Sequence, residues 1–323
     1  MCTAISAGLE NHYFGRNLDF EYSFGEKITI TPRNYPFIFS DGTVNNNHYA
    51  MTGMAVVSKN YPLYFDAVNE KGLGMAGLNF PGNAKYNGEK EDKTNIASYE
   101  IIPKILCSFQ SVSEARKMLS DANITNKAFD ENYSPTPLHW IISDKKESVT
   151  VEQTEEGLKG YDNPVGVLTN NPTFDFQLFN LNNYLSVSKL EPTNNFTDKL
   201  NLKPYSRGMG GMGLPGDLSS MSRFVRASFT KLNSEFGKTE EEIVSQFFHI
   251  LYSVYQQKGC AKVGEDYEIT NYSSCCNGDK GIYYYTTYNN SRINGIDMFK
   301  EDLSGKELIT YELKKESEIN ICN

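Results

Sequence analysis

The chain has 323 residues, of which 39% are hydrophobic, with a net charge of -9 and a pI near 5.1. That length supports a sizeable core, and an acidic, evenly mixed composition argues against nucleic acid or an anionic membrane as a partner. No basic segment leading into an apolar run marks a secretory signal. No apolar run approaches the roughly 18–20 residues that span a bilayer, so the expected location is the cytoplasm.

Six cysteines are scattered at positions 2, 107, 260, 275, 276 and 322. None forms Cys-x-x-Cys, none has zinc-like spacing to histidine, and adjacent Cys275 and Cys276 are too close for ordinary disulfide geometry. All but Cys2 read as small apolar packers. The four histidines (His12, His48, His139, His249) are spread widely and each reads as packing or surface. No metal or organic cofactor is expected.

The chain opens on its chemistry. Cys2 directly follows Met1. Removal of Met1 would place a thiol and a free α-amine on one residue, so nucleophile and base would need no partner from elsewhere. Residues 2–7 are small and alternate as a strand, and Phe14-Gly15-Arg16-Asn17 reads as a second short strand after a turn at 10–12. Lys27 to Pro32 is a strand closed by proline. His48–Val57, Tyr64–Val68 and Met75–Pro81 are further strands, with a turn at 69–74 before the last.

Residues 82–94 form a polar loop, and Ser98–Phe109 reads as a helix. Ser111-x-x-Glu114 is a capping box opening a second helix. Residues 122–137 read as a loop, followed by strands at 138–143, 149–153 and 165–170 and a helix from Phe174 to Leu185. Gly208 to Gly213 matches G-x-G-x-x-G literally, but no strand precedes it and Pro215 follows, so it reads as a glycine-rich loop or subunit contact. Ser219/Ser220 can cap a helix running to about Phe236, with Arg223 in its first turn, and Thr239-x-x-Glu242 caps the next. Four strands close the chain, among them 281–287 and 308–313. Strands in runs, not in strict alternation with helices, indicate an α+β chain with substantial antiparallel sheet.

Met-Cys-Thr, Gly-Arg-Asn-Leu-Asp, Ala-Gly-Leu-Asn-Phe-Pro, Leu-His-Trp-Ile-Ile-Ser-Asp, Val-Glu-Gln-Thr, Gly-Val-Leu-Thr-Asn-Asn-Pro, Leu-Pro-Gly-Asp and Ser-Arg-Phe together resemble the choloylglycine hydrolase family of bile salt hydrolases and penicillin V acylases. The matches run across almost the whole chain. The resemblance implies a single N-terminal-nucleophile domain over residues 1–323, an αββα sandwich of two antiparallel sheets between helical layers. It implies hydrolysis of glycine- or taurine-conjugated bile salts, with penicillin V or another N-acyl amide as the alternative.

The resemblance also assigns roles. Cys2 matches the nucleophile, and Arg16 and Asp19 match a charged pair beside it. Asn79 (through its backbone N–H) and Asn170 (through its side-chain amide) match the oxyanion donors, and Arg223 matches an arginine near the thiol. Cationic neighbours of a cysteine favour its thiolate, and one oxyanion donor is typically worth about 3–4 kcal/mol. Asn79, and the Leu-Asn-Phe-Pro around it, resembles the bile salt branch. Family loops point to Leu18, Phe24, Phe65, Tyr133 and Leu138 as the apolar substrate pocket. Ser58-Lys59-Asn60 stands where some members carry an aromatic residue, so steroid fit and conjugate preference are left open. The region 187–216 sits where the family has a protruding assembly loop and implies a homotetramer. A gut bacterium is the implied source.

Overall fold

A computed structural model describes residues 1–323. Two antiparallel sheets face each other. The first has six strands in the order Val167–Leu168, β1 (Cys2–Gly8), β2 (His12–Phe20), Ile269–Asn277, Ile282–Thr287 and Asn294–Asp297. The second has eight, in the order Gly157–Asp162, Ser148–Thr154, Leu138–Ser143, Gly74–Asn79, Tyr61–Asn69, Met51–Ser58, β3 (Lys27–Thr31) and Ile309–Tyr311.

Alternation along the strands builds the layers. In the second sheet, Ile28, Met54, Val68, Ala76, Leu78 and Ile141 turn inward and meet Cys2, Ala4, Phe14 and Leu18 of the first sheet in one core. Their neighbours Met75, Ala67, Trp140 and Ile142 turn outward into a second core, closed by α1 (Ile101–Ser108) and α2 (Val112–Leu119). The outer face of the first sheet is covered by α4 (Ser220–Asn233) and α5 (Glu240–Tyr252), with α3 (Phe174–Asn180) packed beside α4. The order helix, sheet, sheet, helix is the αββα sandwich.

Several boundaries differ from expectation. The second strand runs the full His12–Phe20, and the 165–170 strand is only Val167–Leu168. Part of the 122–137 loop, Ala122–Thr125, is a strand pairing in parallel with Thr94–Ala97. The helix from Phe174 ends at Asn180 and continues as a 3-10 turn to Tyr184, and α4 stops at Asn233, short of Phe236. The Thr239–Glu242 capping box is complete, but Ser111 and Glu114 make only half of one: the Ser111 hydroxyl accepts from the Glu114 N–H, while the Glu114 carboxylate reaches back to the N–H of Gln110.

Candidate active site

Cys2 begins β1, an interior strand. It lies opposite Leu18 of β2, and β1 is bonded on its other side to Val167–Leu168. Alternation sends Cys2, Ala4 and Ser6 of β1, together with Arg16 and Leu18 of β2, toward the facing sheet. Thr3, Asn17 and Asp19 go to the opposite face, where α4 and α5 lie. Cys2 is 4% exposed. With Met1 in place its nitrogen is a peptide N–H, and it donates to Asn170 Oδ1 at 2.8 Å.

Asn170 is the hub. Its Oδ1 also accepts from Arg223 Nη2 at 2.7 Å, and its Nδ2 donates to the Asn79 carbonyl at 2.6 Å. An amide nitrogen carries two hydrogens, so a second N–H remains for a substrate oxygen. The backbone N–H of Asn170 is itself tied to Ser220 Oγ at 2.8 Å, at the first turn of α4.

Asn79 ends its strand, and the ladder fixes where its backbone points. Its neighbour Leu138 has both backbone groups engaged by the Tyr86 hydroxyl, at 2.7 and 3.1 Å, while the Phe80 N–H is bonded to Pro137 O at 2.7 Å. Alternation in an antiparallel ladder then turns the N–H and C=O of Asn79 away from Leu138. They face the side where strand Tyr61–Asn69 has stopped pairing, its register ending at Ala76 opposite Asp66. The carbonyl meets Asn170 there, and the N–H looks the same way.

The two arginines are both fully buried. Arg223 crosses from α4 to β1. Its Nη1 donates to the Cys2 carbonyl at 2.5 Å and to Thr3 Oγ1 at 2.7 Å, and its Nε donates to Leu218 O at 2.9 Å. Burial pulls this guanidinium below its ordinary pKa, against the pull of Asp19, Cys2 and Glu268. Arg16 points the other way. Its Nη1 donates to the carbonyls of Phe65 at 3.0 Å and Gly77 at 2.5 Å, filling the gap where two strands of the second sheet diverge at the Phe65 bulge. Burial alone would lower Arg16, but the negative charge of Cys2, Tyr272, Asp66 and Asp19 outweighs it and holds the guanidinium above its ordinary range. Arg16 Nη2 has no partner.

Asp19 and Arg16 form no ion pair with each other. Residues three apart on a strand leave on opposite faces, and the nearest cation to Asp19 Oδ2 is Arg223 Nη1 at 4.0 Å. Its Oδ1 accepts from Thr270 Oγ1 at 2.6 Å, and Oδ2 has no hydrogen-bond partner. Burial raises its pKa to about 6, against the lowering effect of Arg223, the Met1 ammonium and Thr270. The Met1 ammonium donates to the Asp19 carbonyl at 2.6 Å and to the nearly buried carboxylate of Glu268. Buried, unmatched polar atoms are uncommon, and here one donor and one acceptor of that kind belong to residues around the cysteine.

An apolar cavity of about 170 Å³ opens in the second sheet, lined by Phe24, Phe65, Gly77, Tyr99, Tyr133, Leu138 and Trp140 among others. Four of the five expected pocket residues line it. Leu18 does not: it is 4% exposed and packs in the core opposite Cys2. The cavity and the cysteine are linked through Arg16, which grips Phe65 and Gly77 from behind. At the rim, Lys59 and Asn60 have positive φ (50° and 57°), the two-residue hairpin geometry that disfavours a bulky aromatic there. Lys59 Nζ instead reaches Asp130 Oδ2 at 2.7 Å, joining two of the rim loops.

Sequence reasoning missed Ser220, Thr270 and Glu268, which fix Asn170, Asp19 and Met1. Each is an ordinary polar residue whose partner lies far away in sequence, so local pattern carries no sign of it.

The family described as "Linear amide C-N hydrolases, choloylglycine hydrolase family" matches residues 2–311. The chain belongs to the choloylglycine hydrolase family. Among its relatives are a bile salt hydrolase/transferase of Lactiplantibacillus plantarum, 55% identical with all of both chains covered, and one of Clostridium perfringens, 41% identical with the same coverage. The structure is similar to that of the C2A mutant of conjugated bile acid hydrolase from Clostridium perfringens, with a TM-score of 0.92, 41% identity and all of both chains covered. Penicillin V acylase from Agrobacterium tumefaciens is similar in fold, with a TM-score of 0.77 at 20% identity over 98% of this chain and 92% of that one. As a choloylglycine hydrolase the chain is an amide C–N hydrolase with the N-terminal-nucleophile fold, and the expected αββα sandwich is the observed one. No helix is long and apolar enough to cross a membrane.

Proposed function

We propose that this chain hydrolyses the amide bond of glycine- or taurine-conjugated bile salts, with Cys2 as nucleophile once Met1 is removed. The observation that carries the reading is the single amide of Asn170, which holds the Cys2 nitrogen on one atom and the Asn79 backbone on the other. Nucleophile and oxyanion donors are thereby fixed relative to one another, which is the requirement for acyl transfer through a tetrahedral intermediate.

The thiol passes its proton to the α-amine and attacks the amide carbonyl. The second Asn170 N–H and the Asn79 N–H receive the oxyanion. The amine, held by Asn170 Oδ1 and by the free Oδ2 of Asp19, returns the proton to the departing amino acid. Water then releases the bile acid from its thioester. Arg16 and Arg223 keep positive charge beside the sulfur. Phe24, Phe65, Tyr133 and Leu138 receive the steroid. The cavity is below the roughly 300–1,000 Å³ of most ligand pockets, so the steroid also occupies the open mouth between the rim loops.

The relatives named as hydrolase/transferase favour a second reading of the same intermediate, in which an amine rather than water takes the acyl group. Penicillin V is the alternative substrate and serves as a control. The protruding 187–216 region carries exposed Leu190, Phe196 and Tyr205, which supports a homotetramer assembled through it, and a cytoplasmic location is part of the reading.

Intact mass followed by assay of glycine and taurine release on the same sample tests the reading. Loss of one methionine together with release is expected. A processed protein that leaves both conjugates intact while cleaving penicillin V would sink the bile salt assignment.

A further inference from the structure

His139 and Glu152 are fully buried and have no part in the reaction as described. His139 stands on strand Leu138–Ser143 directly across from Leu78, so its ring leaves the sheet on the face that also carries Phe80. The ring stacks on Phe80, with centroids 4.2 Å apart and planes 7° from parallel. Its Nε2 lies 3.0 Å from the carbonyl oxygen of Thr169. A carbonyl only accepts, so Nε2 carries a hydrogen. Its Nδ1 lies 2.9 Å from Glu152 Oε1, and the Glu152 oxygens also accept the Phe174 backbone N–H at 3.1 and 3.2 Å.

Phe80 follows Asn79, and Thr169 precedes Asn170. One imidazole therefore touches the immediate neighbour of each asparagine. The Thr169–Asn170 peptide is held at both ends, its carbonyl by His139 and its N–H by Ser220 Oγ. A buried polar pair is weak evidence for stability; what this one does specifically is join the two strand ends that bear the proposed oxyanion donors.

We propose that the His139–Glu152 pair is a positioning device for the oxyanion site, setting the separation of Asn79 and Asn170 by stacking Phe80 and holding the Thr169 carbonyl. Neither residue touches substrate. The inference rests on the amidase reading above and adds to it the means by which the two donors are kept in register.

The test compares H139Q, whose amide N–H can take the place of Nε2–H, with H139N, which reaches Glu152 but leaves the Thr169 carbonyl unbonded. On processed enzyme with glycocholate, kcat of H139N is expected to fall about 10- to 100-fold, with KM changed less than about threefold, because displaced donors weaken the transition state more than the bound substrate. H139Q is expected to regain most of the lost kcat. Equal losses in the two variants, or a raised KM with kcat intact, would overturn the proposal.

Selective ¹⁵N labelling of histidine in the wild-type protein gives a second reading that needs neither variant to fold. A protonated Nε2 on the ring that contacts Phe80 supports the device, and a bare Nε2 overturns it. If wild-type enzyme cleaves no conjugate, the substrate assignment fails, and the ring nitrogen still decides the positioning role.

Discussion

The nucleophile end and the apolar cavity are built on opposite principles. Around Cys2, almost every constraint is a hydrogen bond between elements distant in sequence: α4 to β1 through Arg223, residue 170 to residues 2 and 79, and β2 to the facing sheet through Arg16. Around the cavity the constraints are apolar contacts among strand and loop side chains, with ring pairs such as Phe24–Phe65 at 5.5 Å and Phe129–Tyr133 at 6.0 Å. The one ion pair at its rim, Lys59–Asp130, is exposed at the lysine. Directional bonds fix a geometry, whereas apolar contacts fix a volume and tolerate exchange. Substitutions in the two regions are therefore expected to fail in different ways, although Arg16 ties the one to the other through the carbonyls of Phe65 and Gly77.

The largest effect is expected at Cys2. Cys2→Ala removes the only nucleophile of the scheme, so turnover should vanish while circular dichroism and melting stay close to wild type. Retained hydrolysis would break the assignment. Next is Asn170→Ala, which takes away the proposed oxyanion donor and frees the Asn79 carbonyl as well; kcat is expected to fall about 10²- to 10³-fold in steady-state assays, with a smaller change in KM.

Asp19 gives a pH test of the buried end. Its folded pKa of about 6 lies above the ordinary 3.8. The folded state therefore holds the proton more tightly than the unfolded state. The stability this contributes is complete below pH 3.8 and is lost as pH rises through about 6. The full difference is about 3 kcal/mol at about 1.4 kcal/mol per pKa unit. Urea unfolding of the native protein and of Asp19→Asn at pH 4.5 and 7.5 should show the native protein losing ground to the variant as pH rises. A constant difference would mean that Asp19 titrates normally.

The cavity should respond more mildly. Phe65→Ala removes part of an apolar wall worth about 1.5–3 kcal/mol when fully covered, so KM for a conjugated bile salt is expected to rise about tenfold with kcat kept within a few-fold. A fall in kcat alone would show that the Phe65 ring orients the reacting groups rather than serving as pocket wall, since the variant keeps the backbone carbonyl that Arg16 binds. Smallest of all is Lys59→Ala, since exposed ion pairs contribute little; its melting temperature and KM should be nearly unchanged.

Much of the nucleophile end was legible in the sequence because its residues sit in short distinctive words: Met-Cys-Thr, Leu-Asn-Phe-Pro, Leu-Thr-Asn-Asn and Ser-Arg-Phe. Arg16 and Asp19 read as charged residues beside the cysteine, and their spacing of three along a strand places them on opposite faces of it. Strand ends were harder. Val165–Asn170 looks like one strand, yet only Val167–Leu168 pairs, and the residues beyond it turn away to place Asn170. His139 read as packing because nothing near it in sequence announces Phe80 or Thr169. Leu18 was assigned to the pocket through a loop likeness, while the β1–β2 register puts it opposite the cysteine in the core.

The position of Cys2 has one more consequence, in the time domain. First residues of a chain ordinarily fray and sample many conformations within nanoseconds. Here the strand that begins at Cys2 lies inside its sheet, zipped along its length to β2 and at Ala4 and Ile5 to a second neighbour. Its amides should exchange with solvent only through openings near the global unfolding free energy. The nucleophile thus has no private route to disorder, and heat should silence the enzyme at the temperature where the whole sandwich melts and not before.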